Sequence, residues 1–228
     1  MNKLKAITKG SQIIDQIFWE LLKILKSEKK LTELDLARQI KKLAKKLGAS
    51  GMAFPPIVSF GQSSAEIHHS PSSKKIGKNN FLMLDFGVKT QGYCSDFTRT
   101  LFLGRPKKFH EQIYNIVLKA QLTAIKKVSI GRHSDEIDFT ARHIINHSGY
   151  GKFYVHGTGH GVGKKIHETP NFKSNSGDSI AKNDIVTIEP GIYLPKKFGV
   201  RIEDMILVSS KPKIFSKVGK DFRNMIIS

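Results

Sequence analysis

Residues 79–104, NNFLMLDFGVKTQGYCSDFTRTLFLG, hold two apolar runs around the polar segment KTQG, and each run carries a carboxylate in its interior, Asp85 and Asp96. Two short apolar runs joined by a glycine-containing turn read as an antiparallel hairpin. An unpaired carboxylate is costly to bury in such a strand, so the fold must give both acids a partner. With the turn centred on Thr90–Gln91, Asp85 and Asp96 face each other across the strands, their Cβ atoms roughly 5 Å apart. Like charges that close repel, which leaves two outcomes: one carboxyl keeps a proton, or a cation lies between them.

A second segment repeats the arrangement. DIVTIEPGIYL (184–194) and GVRIEDMILV (199–208) read as strands of another hairpin, and their acids Glu189 and Glu203 lie symmetrically about Lys196. An odd-length loop such as PKK sets those two acids opposite one another; the competing reading makes Glu203 and Asp204 a solvated corner. Between the hairpins stands HGTGHGVG (156–163), with His156 and His160 among glycines. Four carboxylates and the His160 imidazole form a mixed oxygen and nitrogen donor set, which suits a pair of divalent cations of the Mn, Fe, Co or Zn kind. A single cysteine, Cys94, excludes a thiolate zinc finger and an internal disulfide.

Apolar residues recur at helical spacing over Ser11–Lys26, and Thr32 with Asp35 announces a second helix that stops at Gly48. FPPIVSFG (54–61) reads as extended, and helical periodicity returns over 110–128 and 134–147. The order α-α-β-β-α-α-β-β predicts an α+β fold with antiparallel hairpins and two loosely similar halves. No run approaches the ~18 apolar residues that span a bilayer, and the lysine-rich N-terminus is followed by no small-residue cleavage site. The expectation is a cytoplasmic protein with no membrane partner. The formal charge of +19 comes as scattered lysine pairs; it reads first as a solvated surface and only second as a site for RNA or another polyanion.

The quoted segments resemble the pita-bread metallopeptidase family, which includes Xaa-Pro aminopeptidases, prolidases and methionine aminopeptidases. The resemblance spans roughly 54–208 and rests on LDFGVKTQGYCSDFTRTLFLG, HGTGHGVGKKIHETP and TIEPGIYLPKKFGVRIED. It implies a curved antiparallel sheet covered by helices, with halves related by a pseudo-two-fold. It also implies metal ligands Asp85, Asp96, His160, Glu189 and Glu203, with Asp96 and Glu203 shared by two ions, Mn first and Co, Fe or Zn next. Three histidines fall at substrate positions, namely His68 in EIHHSP, His156, and His167 in KIHETP; Arg201 matches an arginine that accompanies the shared glutamate.

The implied reaction is hydrolysis of the N-terminal bond of Xaa-Pro peptides by a water shared between the cations. Glu189 is the general base, His167 or His68 stabilises the oxyanion, and His156 orients the substrate amide. The glycines around His156 and His160 are expected to bring the backbone close to the metals. HGTG favours the Xaa-Pro branch over methionine aminopeptidase activity; a basic binding module for RNA or protein is the third reading. The usual N-terminal domain of Xaa-Pro peptidases does not precede residue 54, so 1–228 is expected to be a single catalytic domain, with peptide substrates and a homodimer compatible.

Overall fold

The computed structural model describes residues 2–27 and 30–227. Among them, α1 (Lys3–Lys26), α2 (Glu33–Lys46), α3 (Lys108–Lys127) and α4 (Ser134–His147) cover sheets made almost wholly by antiparallel pairing. α1 starts at Lys3 rather than Ser11; its first turns bury Ile7 with the small residues Ala6, Gly10 and Ser11, and a single large aliphatic makes no periodic apolar stripe. A Cβ on Gly10 would lie 2.9 Å from Ser95 Oγ, so the helix backbone rests directly on the first hairpin. Thr90 Oγ1 donates to the Ala6 carbonyl there at 2.8 Å.

Farther along α1, Ile14, Ile17, Phe18 and Leu21 are buried, each contributing ~1.5–3 kcal/mol. Ile17→Ala is therefore expected to cost about 2–5 kcal/mol in urea unfolding, with metal binding retained. α2 opens on the expected capping box: Asp35 N donates to Thr32 Oγ1 at 3.1 Å, and Thr32 N to Asp35 Oδ2 at 2.9 Å.

One sheet orders Ile226–Ile227, Thr98–Leu103, Asn80–Asp85 and Ile57–Phe60; a second orders Lys213–Ile214, Asp204–Leu207, Ile185–Ile188, Gly159–Gly161 and Glu168–Phe172. The hairpin tips continue from these sheets, Val88–Thr90 with Tyr93–Cys94 from the first and Gly191–Leu194 with Phe198–Arg201 from the second. The sheets meet where Thr98 bridges Glu203, whose N–H donates to the Thr98 carbonyl at 3.1 Å.

The first hairpin departs from the predicted register by two residues. Asp85 pairs with Thr98 and Thr90 with Tyr93, so the turn residues are Gln91 and Gly92, both at positive φ (54° and 80°). That is the backbone of the type I′ turn, whose twist matches the flanking strands. A shift of two preserves the face, because side chains alternate with period two; Asp96 thus lies diagonal to Asp85 instead of opposite. The second hairpin keeps its predicted register, with Gly191 opposite Arg201 and Leu194 opposite Phe198 around Pro195–Lys197. At its base Ile188 faces Asp204, which puts Glu189 level with Glu203.

Asp204 is no solvated corner. It is fully buried, accepting from Arg99 Nη2 at 2.7 Å, Lys220 Nζ at 2.6 Å and Gln121 Nε2 at 2.8 Å. Arg99 Nη1 also donates to the Glu203 carbonyl, so this charge cluster fixes the backbone that carries Glu203. No helix among the described residues is long and apolar enough to cross a membrane.

Candidate metal centre

At the junction of the two sheets, Asp96, His160 and Glu203 each offer a ligand atom, and these atoms lie within 4.8 Å of one another. Glu189 joins them through its Oε1, 3.2 Å from His160 Nε2. Asp85 lines the same cavity of about 540 Å³, but its Oδ2 accepts from Arg201 Nη2. Asp96, Glu189 and Glu203 each have a fixed donor, and that of Glu203 comes from the other sheet. Thr98 Oγ1 donates to Glu203 Oε2 at 2.7 Å, Phe97 N to Asp96 Oδ1 at 3.0 Å, and Thr187 Oγ1 to Glu189 Oε1 at 3.1 Å.

The glycines beside His160 answer to a neighbouring strand. A Cβ on Gly159 would stand 2.0 Å from the Thr187 carbonyl oxygen, and one on Gly161 2.2 Å from that of Thr169. Glycine lets this short strand nest between its neighbours, and its imidazole lies against the acids, with His160 Nε2 3.2 Å from Glu189 Oε1.

The electrostatics call for a cation. Burial, then the neighbouring carboxylates, pushes Asp96 and Glu203 well above the usual carboxylate range. Asp85 is raised by burial and by Glu189, against the pull of Arg201. Burial acts hardest on Glu189 too, yet the hydrogen bond and charge of His160, with His156 and Arg201, bring it down to about 2. Two buried carboxylate oxygens, Asp85 Oδ1 and Glu203 Oε1, have no hydrogen-bond partner, a costly arrangement that coordination to an ion relieves. Four carboxylates and one imidazole, with oxygens to spare, fit a divalent cation of the borderline class.

His160 sets the pH dependence. Burial alone would lower its pKa, but the hydrogen bond and charge of Glu189, with Asp96, raise it to about 9. In the metal-free protein the stability from this raised group is fully present below about 6.5 and is lost as pH rises through about 9. Ligation requires the neutral ring, so binding near pH 7.5 releases protons. Mn²⁺ affinity is expected to rise with pH toward 9, with a proton release visible by calorimetry in buffers of different ionisation enthalpy.

The remaining predicted residues all line the cavity, in different states. His68 and His167 are exposed, and their rings make no hydrogen bond among the described residues. His167 stands edge-on to His160, ring centres 4.4 Å apart, and burial and the His160 charge lower its pKa. Both His156 nitrogens are engaged, Nδ1 with the Gly157 carbonyl and Nε2 with Tyr193 Oη, each at 2.7 Å. Arg201 accompanies Asp85 rather than Glu203, and its Nη1 donates to Tyr193 Oη at 2.8 Å. Tyr193 is the site residue that sequence reasoning missed; its alternation with Arg201 across the second hairpin was the available signal.

The chain matches the family model described as Metallopeptidase family M24 over residues 5–210. An uncharacterized peptidase of Staphylococcus aureus strain MW2 is 36% identical over 210 residues, covering 92% of this chain and 59% of the relative. The Xaa-Pro dipeptidase of Bacillus anthracis superposes with a TM-score of 0.94 at 37% identity, over 99% of this chain and 62% of that one. The X-Pro aminopeptidase of Thermotoga maritima gives 0.93 at 31% identity, over 99% and 63%. The chain thus spans about three-fifths of the length of the relatives it matches, and its fold is the pita-bread fold that the resemblance implied.

Proposed function

The chain belongs to metallopeptidase family M24, and on that footing we propose that it hydrolyses the N-terminal peptide bond of Xaa-Pro peptides with a pair of divalent cations, Mn²⁺ first. One observation carries the reading. A tight cluster of acids and imidazole, with carboxylate oxygens left over, forms the polar floor of a 540 Å³ cavity whose walls include Phe54, Pro55, Ile57, Ile67 and Ile166. An apolar wall beside a charged floor suits a proline ring next to a polarised carbonyl. Two structural relatives named for Xaa-Pro substrates support the same choice.

Asp85, Asp96, His160, Glu189 and Glu203 are the proposed ligands, with Asp96 and Glu203 shared. Bound there, divalent cations supply Lewis acidity at the scissile carbonyl and lower the pKa of water toward neutrality. Glu189 is held as a carboxylate, and its Oε2 accepts the proton of the attacking water. His68 and His167, with unengaged imidazoles facing the cavity, donate to the oxygen that gains charge. His156 orients substrate by its ring, since Tyr193 and Gly157 hold its nitrogens.

The test is a panel of Xaa-Pro dipeptides, Xaa-Pro-Xaa tripeptides and Met-Ala peptides, assayed with Mn²⁺ or Co²⁺. Turnover confined to the Xaa-Pro members, removed by chelation and restored by metal, is the expected result. Preference for Met-Ala peptides would move the assignment to methionine aminopeptidase. No turnover on any member, with metal demonstrably bound, would overturn the peptidase reading.

A further inference from the structure

One buried charge lies outside the acid cluster and plays no part in the chemistry proposed above. Glu33, in the first turn of α2, is fully buried, and its carboxylate accepts five hydrogen bonds. Oε1 takes them from Phe60 N at 2.8 Å and Ser63 Oγ at 2.6 Å. Oε2 takes them from Ser72 N at 3.1 Å, Ser72 Oγ at 2.8 Å and His69 Nε2 at 2.8 Å. All five donors belong to residues 60–72, the segment that brings His68 and His69 to the cavity wall. Capping a helix does not require this arrangement, because Thr32 and Asp35 already cap α2. It fits an anchor for the cavity wall.

His69 closes the anchor. Its Nε2 meets Glu33, and its Nδ1 lies 2.9 Å from Glu66 Oε2. Ionised carboxylates only accept, whereas a neutral imidazole has a single N–H. One of the two contacts would then set lone pair against lone pair, so the geometry requires the imidazolium. The charged groups that face the ring are Glu33 from α2 and Glu66 from the preceding turn. Lys74 stands behind them, its Nζ 3.2 Å from Ser63 Oγ and 2.6 Å from the Phe60 carbonyl.

We propose that the Glu33–His69 ion pair is a positioning device for the substrate cavity, fixing the 66–72 loop and with it the His68 imidazole, and loosening that loop when His69 loses its proton. The neutral ring has one N–H for two carboxylates, so one of its contacts opens, and Ser72 N and Oγ remain as the loop's hold on Glu33. Burial would lower the pKa of His69, but Glu33 and Glu66 raise it above the ordinary histidine value. For a raised histidine the stabilisation is complete below about 6.5 and is lost as pH climbs through the folded-state value. The loop is therefore held below the ordinary histidine value and loosens as pH climbs through the raised one. The kinetic consequence rests on the peptidase reading; the charge state of His69 does not.

The test uses the whole chain. In metal-free protein, ¹⁵N-histidine NMR is expected to find both His69 nitrogens protonated at pH 6, with a midpoint above the ordinary histidine value. Hydrogen exchange should show protection of residues 66–72 falling as the ring titrates. With metal and an Xaa-Pro peptide, KM should rise several-fold through the same interval while kcat changes less. Glu66→Gln is the decisive variant, since Glu66 is 69% exposed and the fold does not depend on it. It should move the titration, the exchange transition and the KM rise together to lower pH, by about one unit or less. His69→Asn should give a raised KM without that pH dependence. A His69 that titrates at or below the ordinary histidine value overturns the proposal, as does a KM profile that Glu66→Gln leaves in place. Should the wild-type chain turn over no peptide, the peptidase reading fails, and the NMR and exchange arms still decide the anchor.

Discussion

Asp96→Asn is expected to stabilise the metal-free protein while removing the proposed peptidase activity. Asp96 is buried beside Asp85, Glu189 and Glu203, and the opposite charge paired with its carboxylate among the described residues is His160, 3.6 Å away. Burial and the adjacent acids hold its pKa well above the usual range, so the native state binds protons there that the unfolded chain releases. A raised carboxyl lets stability fall as pH rises from the unfolded value near 4 through the folded one. Replacing the acid with its isosteric amide removes that penalty, a gain of roughly 1–3 kcal/mol near pH 7.5.

With metal the order reverses. The amide is a weaker ligand that cannot neutralise a cation, so Mn²⁺ should no longer raise the melting temperature. kcat/KM should fall by more than the ~10–100-fold typical of residues one step removed from a metal. Melting curves in chelator and in Mn²⁺, run on wild type and variant, check both halves. A variant that is less stable in chelator would show that Asp96 is satisfied without an ion.

Much of this site was legible because the informative residues obey local periodicities. Glu189 and Glu203 were placed opposite each other by counting about Lys196, and the three-residue loop made the count hold. The register of the first hairpin differs from the expected one by two because its turn falls at Gln91–Gly92, both at positive φ, yet Asp85 and Asp96 keep a common face through the period of the strand. What could not be read is held together across long stretches of chain. Arg99 meets Asp204 and Glu33 meets Ser72 only after the sheets and helices have docked, and no spacing announces either pair. The early start of α1 is hidden for a related reason: Gly10 answers to the closeness of Ser95, and one buried aliphatic, Ile7, among small residues makes no period.

Replacing Arg201 should expose how Asp85, a proposed metal ligand, and His156, a proposed substrate residue, are tied together. The guanidinium is almost fully buried, with Nη2 on Asp85 Oδ2 and Nη1 on Tyr193 Oη. The Gly157 carbonyl can only accept, so the proton of neutral His156 sits on Nδ1, and Nε2 must accept from the Tyr193 hydroxyl. Burial lowers the pKa of His156, which keeps it in that state. Every bond from Arg201 to His156 then has one direction, and the arginine supplies the first donor. Arg201→Met leaves the Asp85 carboxylate buried without its cation, expected to cost about 3–5 kcal/mol in chelator. Arg201→Lys keeps the charge but offers a compact ammonium in place of a planar fork; it should hold Asp85 while letting Tyr193 turn, with kcat/KM down ~10–100-fold. Tyr193→Phe removes the donor to His156 and the acceptor for Arg201 Nη1 while leaving the Arg201–Asp85 pair in place, and should cost about 1–3 kcal/mol. Unfolding in chelator should therefore rank the methionine variant as the least stable of the three. Added Mn²⁺ should recover part of that loss and none of the Tyr193→Phe loss, because only the first leaves a carboxylate that a cation can satisfy. Equal losses in all three, unmoved by metal, would mean that Arg201 serves packing alone.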